Sequence, residues 1–243
     1  MYRLLVTSAT YRQQSHVTPA LLERDPYNIL LTREPRFRIP AESVRDVALR
    51  AAGLLSTKVG GPSVFPPIPD GVLNLAYGGF NWKTSTGEDR YRRGIYTFWK
   101  RGTTFPMVIT FDAPSREACV VKRVKSNTPL QALTLMNDEV FVEAAQAMAR
   151  RILAAPMADE RERVIYAFRL ATSRRPTDAE VDRILALLAQ ARERIAAGQA
   201  DPLAIAVLDP KITPSDDADI QQLAAWTVVA NVLLNLDETV TKG

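Results

Sequence analysis

Cysteine and histidine are almost missing from this chain of 243 residues, which has one of each, Cys119 and His16. A lone cysteine closes no intramolecular disulfide. Without a Cys/His cluster, a zinc site built from those ligands is excluded. C-x-x-C-H does not occur, so the chain attaches no c-type haem of its own. A Ser-His-Asp triad would have to use His16, and G-x-S-x-G is absent. The phosphate-binding glycine motifs G-x-x-x-x-G-K-[ST] and G-x-G-x-x-G are absent too. Long hydrophobic runs are also missing. The longest, Leu223 to Leu234, is broken by Thr227 and Asn231 and is too short to span a bilayer. Met1 to Thr10 has no apolar stretch of the kind a signal peptide needs.

What is present is ordinary globular material: 47% apolar and 24% charged residues, which argues against wholesale disorder. The charge is unevenly spread. Residues 1–125 hold 19 Lys and Arg against 10 Asp and Glu, while residues 126–243 hold 12 against 17. Such a dipole steers an anionic partner to the first half, or lets the two halves dock on each other.

The order of elements follows from punctuation and periodicity. Pro19, Pro26, Pro35 and Pro40 break an Arg-rich, irregular start, after a short helical stretch at Met1–Val6. Pro40 opens a helix in which Val44, Val47, Ala48, Ala51 and Leu55 recur at helical spacing, and Gly53 lies near its end. A proline-rich loop over 60–69 is packed through Val64, Phe65 and Ile68. Three β-prone runs follow, Ile95–Trp99, Val108–Phe111 and Cys119–Val121, and predict a small antiparallel element within 72–123. From Thr128 the chain reads as helical. Thr128-Pro129-Leu130-Gln131 and Thr177-Asp178-Ala179-Glu180 are capping boxes. Asn137 is a candidate cap for a helix to about Leu153, further helices are expected over 159–173 and from 177 to Gly198, and a last one covers about 217–235. The expected fold class is therefore α-rich (α+β): an irregular Arg/Pro-rich start, a small antiparallel β element and a helical second half. The chain is read as one domain over 1–243, mixed over 1–127 and helical over 128–243.

Few residues carry a chemical signal. Arg90 to Arg101 flanks an aromatic run with basic residues, the pairing nucleic-acid binders use, but it reads equally as a core strand with basic ends. Nucleic-acid binding needs Arg90, Arg92 and Arg93 on one exposed face with an exposed ring. Phe111 to Glu117 resembles the sulfatase C/S-x-P-S-R motif, but Asp112 stands where the modifiable Cys or Ser must be, which removes that chemistry. Asp112 and Glu117 form a candidate acid/base pair with Arg116 beside them, against the plainer reading of an Asx turn with a local salt bridge. Asp46, next to Arg45 and one turn from Glu42, is a candidate internal ion-pair or ligand site, as is Arg93. Cys119 reads as a core residue of a strand, and His16 as a loop residue.

Several stretches match a known family in combination: Ser8-Ala9-Thr10-Tyr11-Arg12-Gln13, Asp25-Pro26-Tyr27-Asn28, and Arg36 to Asp46 as R-x-R-x-x-A-E-x-x-R-D. Gly60-Gly61-Pro62-Ser63, Arg93-Gly94-Ile95-Tyr96, Phe111-Asp112-Ala113-Pro114, Thr128 to Leu133 and Leu234-Asn235 match as well. Gln14 and Ile39-Pro40 depart from the pattern. The chain resembles the domain of unknown function that forms the C-terminal part of planctomycete cytochrome c-like proteins. The resemblance implies a longer, exported parent, with haem c in an upstream domain and no cofactor here. It implies that this chain is the C-terminal portion of that parent and lies outside the cytoplasm. It carries over no catalytic residue, because the family has no established activity. The partners expected are the upstream domains and a carbohydrate-like ligand, with neither nucleic acid nor a membrane span. The expected function is a non-catalytic or cryptic interaction and ligand-binding domain. The alternatives are a polysaccharide hydrolase using Asp112 and Glu117 or Asp46, and nucleic-acid binding through 90–101.

Overall fold

The computed structural model describes residues 1–69, 81–100, 104–207 and 217–242, without the side chains of 217–219. It is 54% helical with one small two-stranded antiparallel sheet, an α-rich fold. The helices are α1 (Tyr2–Thr7), α2 (Pro19–Arg24), α3 (Ala41–Ala52), α4 (Pro106–Thr110), α5 (Pro129–Asn137), α6 (Glu139–Ala154), α7 (Glu160–Thr172), α8 (Asp178–Ala196), α9 (Pro202–Ala206) and α10 (Asp217–Leu234). The strands are β1 (Phe37–Arg38) and β2 (Thr241–Lys242), paired Phe37 to Lys242 and Arg38 to Thr241.

The starts of α2 and of α5 to α9 are fixed by side chains that satisfy the first free backbone N–H groups. Thr128 and Thr177 form the two capping boxes with Gln131 and Glu180. Asp159 caps α7, and Gly53 closes α3 in the left-handed region that glycine tolerates. The cap of α6 is Asp138, whose side chain accepts from the Val140 N–H, rather than Asn137. Asn137 instead donates back to the Leu133 carbonyl and ends α5.

The core is built around α10, which packs on α6, α8 and α9, while α6 also packs on α3. Trp226, Val229 and Leu233 of α10 meet Phe141, Met148 and Ile152 of α6 in one buried cluster. Ala144, Ala145 and Ala149 on α6 and Ala224, Ala225 and Ala230 on α10 are buried as well, and such short side chains let helices approach closely. The nearly all-round apolar character of Leu223 to Leu234 is thus explained by neighbours on several sides.

Among the described residues the antiparallel pair is β1 with β2 and not the β-prone runs of 72–123, of which 72–80 and 101–103 lie outside the described residues. Val108–Phe111 belongs to α4, and residues 94–96 form a turn of 3-10 helix joined to Val64 by one parallel bridge at Thr97. Cys119–Val121 lies exposed at the surface, so Cys119 is not a core residue. Propensity lost to context in each case. Pro106 fits the first position of a helix, and Gly94 is pressed against the backbone of α3 at Glu42.

The C-terminal residues close back on the start of the chain. Asp237 pairs with Arg36 and Arg38, and Lys242 with Glu34 at 2.8 Å. Arg174, at the end of α7, bridges Glu180 and Glu238, each at 2.6 Å. The Arg174 bonds and the Thr177 cap hold the Glu180 carboxyl down to about 2, against its ordinary 4.5. A depressed carboxyl stabilises the fold fully above its unfolded value and progressively less as pH falls toward the folded one. Glu180→Gln is therefore expected to flatten the loss of stability between about pH 4.5 and 2, while leaving its pH dependence above 6 unchanged. Urea titrations at stepped pH measure both.

Candidate functional site

A dense polar construction joins α3 to the segment 87–97. Arg45 is buried on the inner face of α3, and its guanidinium donates to the carbonyl of Arg92 at 2.6 Å and to that of Arg90. Burial pushes the Arg45 guanidinium down to about 10, with Asp46 and Glu143 opposing the shift, so it stays charged at neutral pH. Asp46, the next residue, accepts the Gly94 N–H at 2.6 Å. Burial raises its carboxyl above the ordinary range, and the Gly94 bond and Arg45 pull against that. Gly94 sits so close to α3 that a Cβ would stand 2.3 Å from the Glu42 carbonyl oxygen. The glycine is thus required by close approach, not by a turn.

Arg92 has no exposed surface. It donates to the carbonyls of Pro62, at 3.1 Å, and Gly60, and its guanidinium lies 3.9 Å from the centre of the Tyr96 ring. The Tyr96 hydroxyl accepts the Gly60 N–H at 2.8 Å. Arg90 turns the other way, onto α6. Its Nε lies 3.1 Å from both oxygens of Glu143, and its terminal nitrogen donates to Glu139 at 2.8 Å. Tyr91 donates its hydroxyl to Glu143 at 2.7 Å. Burial and the Glu143 contact push that hydroxyl's pKa up, so Tyr91 keeps its proton and acts as a donor.

Arg90 and Arg92 of the basic run are therefore consumed internally, and Arg101 lies outside the described residues. Arg90 and Arg92 face different partners, only Arg93 is substantially exposed, and the exposed apolar residue beside it is Ile95 rather than a ring. The single exposed face that nucleic-acid binding requires is not formed by these residues. Arg93 stays 3.8 Å from Asp46, a loose pair at the surface.

The Asp112 turn is a second polar cluster. Asp112 stands in the left-handed region, and its carboxylate accepts the Ser126 N–H at 2.6 Å and the Ser126 hydroxyl. Gln131 is buried beneath it and donates to the Thr110 carbonyl at 2.9 Å and the Ser126 hydroxyl at 3.1 Å. Arg116 stacks over Trp99 at 4.1 Å, and Glu117 is exposed. Two cavities, of about 50 and about 310 Å³, have Asp112 in their walls, and Glu117 lines neither. The Asp112 carboxylate is engaged by Ser126, while Glu117 lies exposed at the surface. Arg123, in the loop between them and α5, grips Glu42 of α3 at 2.8 Å.

Sequence reasoning did not find the Arg90–Tyr91–Glu139–Glu143 cluster. It borders a cleft of about 590 Å³ whose walls also carry Ser85, Thr86, Gln146 and Arg150. The signal was present as two glutamates four residues apart, on one helix face. Every carboxylate oxygen of Glu143 is occupied by Arg90 or Tyr91, so the pair anchors 87–91 to α6. Among the described residues, no group of three His, Cys, Asp or Glu side chains is placed to hold a metal ion, and no helix is long and apolar enough to cross a membrane.

Two substitutions test the structural reading. Asp46→Ala strands the buried Gly94 N–H and is expected to cost about 1–3 kcal/mol. Asp46→Asn keeps an acceptor and is expected to cost clearly less. Equal costs would mean that the Gly94 bond is immaterial. Gln131→Ala removes half a capping box and also the bonds to Thr110 and Ser126, so the expected cost is about 2–3 kcal/mol rather than the ~1 kcal/mol of a cap alone. Urea unfolding midpoints with unchanged slopes give both numbers.

No curated protein and no solved structure matches the chain. A family model does match, over residues 1–188, and it covers α3, the 87–97 segment, the Asp112 turn and both capping boxes. The chain therefore belongs to PSD1, a family of proteins of unknown function (DUF1553).

Proposed function

We propose that this chain is a binding module that docks, through its N-terminal arm, on a neighbouring domain of an exported, cytochrome c-associated polypeptide. The observation that carries this reading is the arm itself. α1 buries none of its residues, and Leu4 is 77% exposed, Tyr27 85% and Ile29 77%. Of the large hydrophobic side chains exposed among the described residues, 12 of 23 lie within residues 1–31. Apolar surface concentrated in one region marks an interaction site more often than a solvated one.

The arm is nevertheless shaped. Asp25 accepts the N–H groups of Ile29 and Leu30, each at 2.8 Å, and the Arg33 guanidinium donates to the carbonyls of Asp25 and Pro26, each at 2.9 Å. These bonds present Ile29 and Leu30 outward on an ordered turn, and a preorganised apolar loop loses less entropy on docking than a limp one. In this reading the haem belongs to the neighbouring domain, and the module works outside the cytoplasm. The carboxylates of the polar clusters serve the fold, which favours binding over hydrolysis.

The test is sedimentation of the full chain mixed with a haem-bearing cytochrome c domain from a protein of the same family. A complex is expected at micromolar concentrations. The double variant Leu4→Asp, Ile29→Asp is expected to weaken it at least tenfold with the melting temperature unchanged, because neither side chain is in the core. No complex at 100-fold higher concentration, or one indifferent to the arm substitutions, contradicts the reading.

A further inference from the structure

We propose that the groove between α8 and α10 is a binding site for an amphipathic carboxylate, an acyl chain of medium length whose head group pairs with Arg183. The groove has a volume of about 420 Å³, within the range of small-molecule sites. Its walls come from α7, α8, α10 and the 236–238 turn, with Arg36 beside them. Positions 180, 183, 184 and 187 fall on one face of α8, at the spacing that aligns side chains along a helix. Ile184 and Leu187 from that face, Leu233 and Leu236 from the opposite side and Phe168 from α7 make the walls apolar. Val232 opens to solvent at the mouth. Hydrated apolar walls of this kind gain free energy when an apolar chain replaces the water.

The rim decides the charge of the guest. Three carboxylates stand there, and each is already held by arginine: Glu180 and Glu238 by Arg174, and Asp237 by Arg36 and Arg38. Arg183 lines the same rim and forms no ion pair among the described residues. The one charge left over is therefore a guanidinium, whose planar fork matches a carboxylate. A cation would meet no free acid, and a neutral chain would leave Arg183 unused.

The experiment is calorimetric titration of the full chain with decanoate and, separately, with 1-decanol below their aggregation limits. Decanoate is expected to bind saturably at one site, about tenfold tighter than decanol, as a charge-assisted contact provides. Arg183→Gln, on an exposed helix position, is expected to bring decanoate down to the affinity of decanol while leaving decanol binding intact. Val232→Asp, at the mouth, is expected to weaken both ligands. Thermal unfolding of each variant confirms that the fold is retained. Equal affinity of the two ligands in the parent chain, absence of saturable decanoate binding, or decanoate binding that survives both substitutions overturns the proposal.

Discussion

The first half of this protein depends on one buried charge. Arg45 points from α3 into a region that has little regular structure, and it organises that region by taking two main-chain carbonyls of the 87–92 segment. A buried guanidinium is tolerable only if its donors find acceptors. Here the acceptors are backbone groups that would themselves need partners in a loop without a ladder. The two terminal nitrogens of the guanidinium and the carbonyls of the irregular chain satisfy each other, while the buried Nε has no partner among the described residues. Asp46 then pins Gly94, and Gly94 fits only because it lacks a side chain. Arg92 repeats the device one layer out, holding the carbonyls of the 60–62 loop. Loops thereby acquire the fixed geometry that strands or helices would supply elsewhere.

The same internal use of charge recurs in the other polar clusters. Arg90, Tyr91, Glu139 and Glu143 close on one another across to α6, and Asp112 closes on Ser126 and Gln131. A carboxylate that accepts several bonds from its own scaffold is a joint. Among the described residues, the exposed large hydrophobic side chains concentrate in the arm at residues 1–31, and the α8–α10 groove combines apolar walls with Arg183.

The sequence was readable where local rules act alone. Thr128 and Thr177 with their partners three residues on, Pro40 ahead of α3, Gly53 behind it and the stripe from Val181 to Ile195 all mark helix ends and faces, and the helices follow. It was unreadable where tertiary contacts override propensity. Val108 to Phe111 is β-prone in composition, but Pro106 starts a helix there, and Phe105, Met107 and Val108 bury on the core. The sheet came from Phe37–Arg38 and Thr241–Lys242, two residues each and more than 200 apart, which no local pattern announces. Asp46 and Arg93 were singled out for chemistry, and they do meet, but around a backbone N–H. The partners of Arg45 are carbonyls, which carry no sequence signature at all.

The measurement that bears most directly on this account is amide hydrogen exchange, read peptide by peptide on the full chain. Protection reports the free energy needed to open a segment. If the buried arginines and Asp46 hold the irregular half in place, the amides of Val64, Gly94, Tyr96, Thr97 and Phe98 exchange as slowly as those of α3, although they belong to no long helix or extended sheet. Exchange of these amides on the time scale of the exposed arm, while α3, α6 and α10 remain protected, would contradict the account.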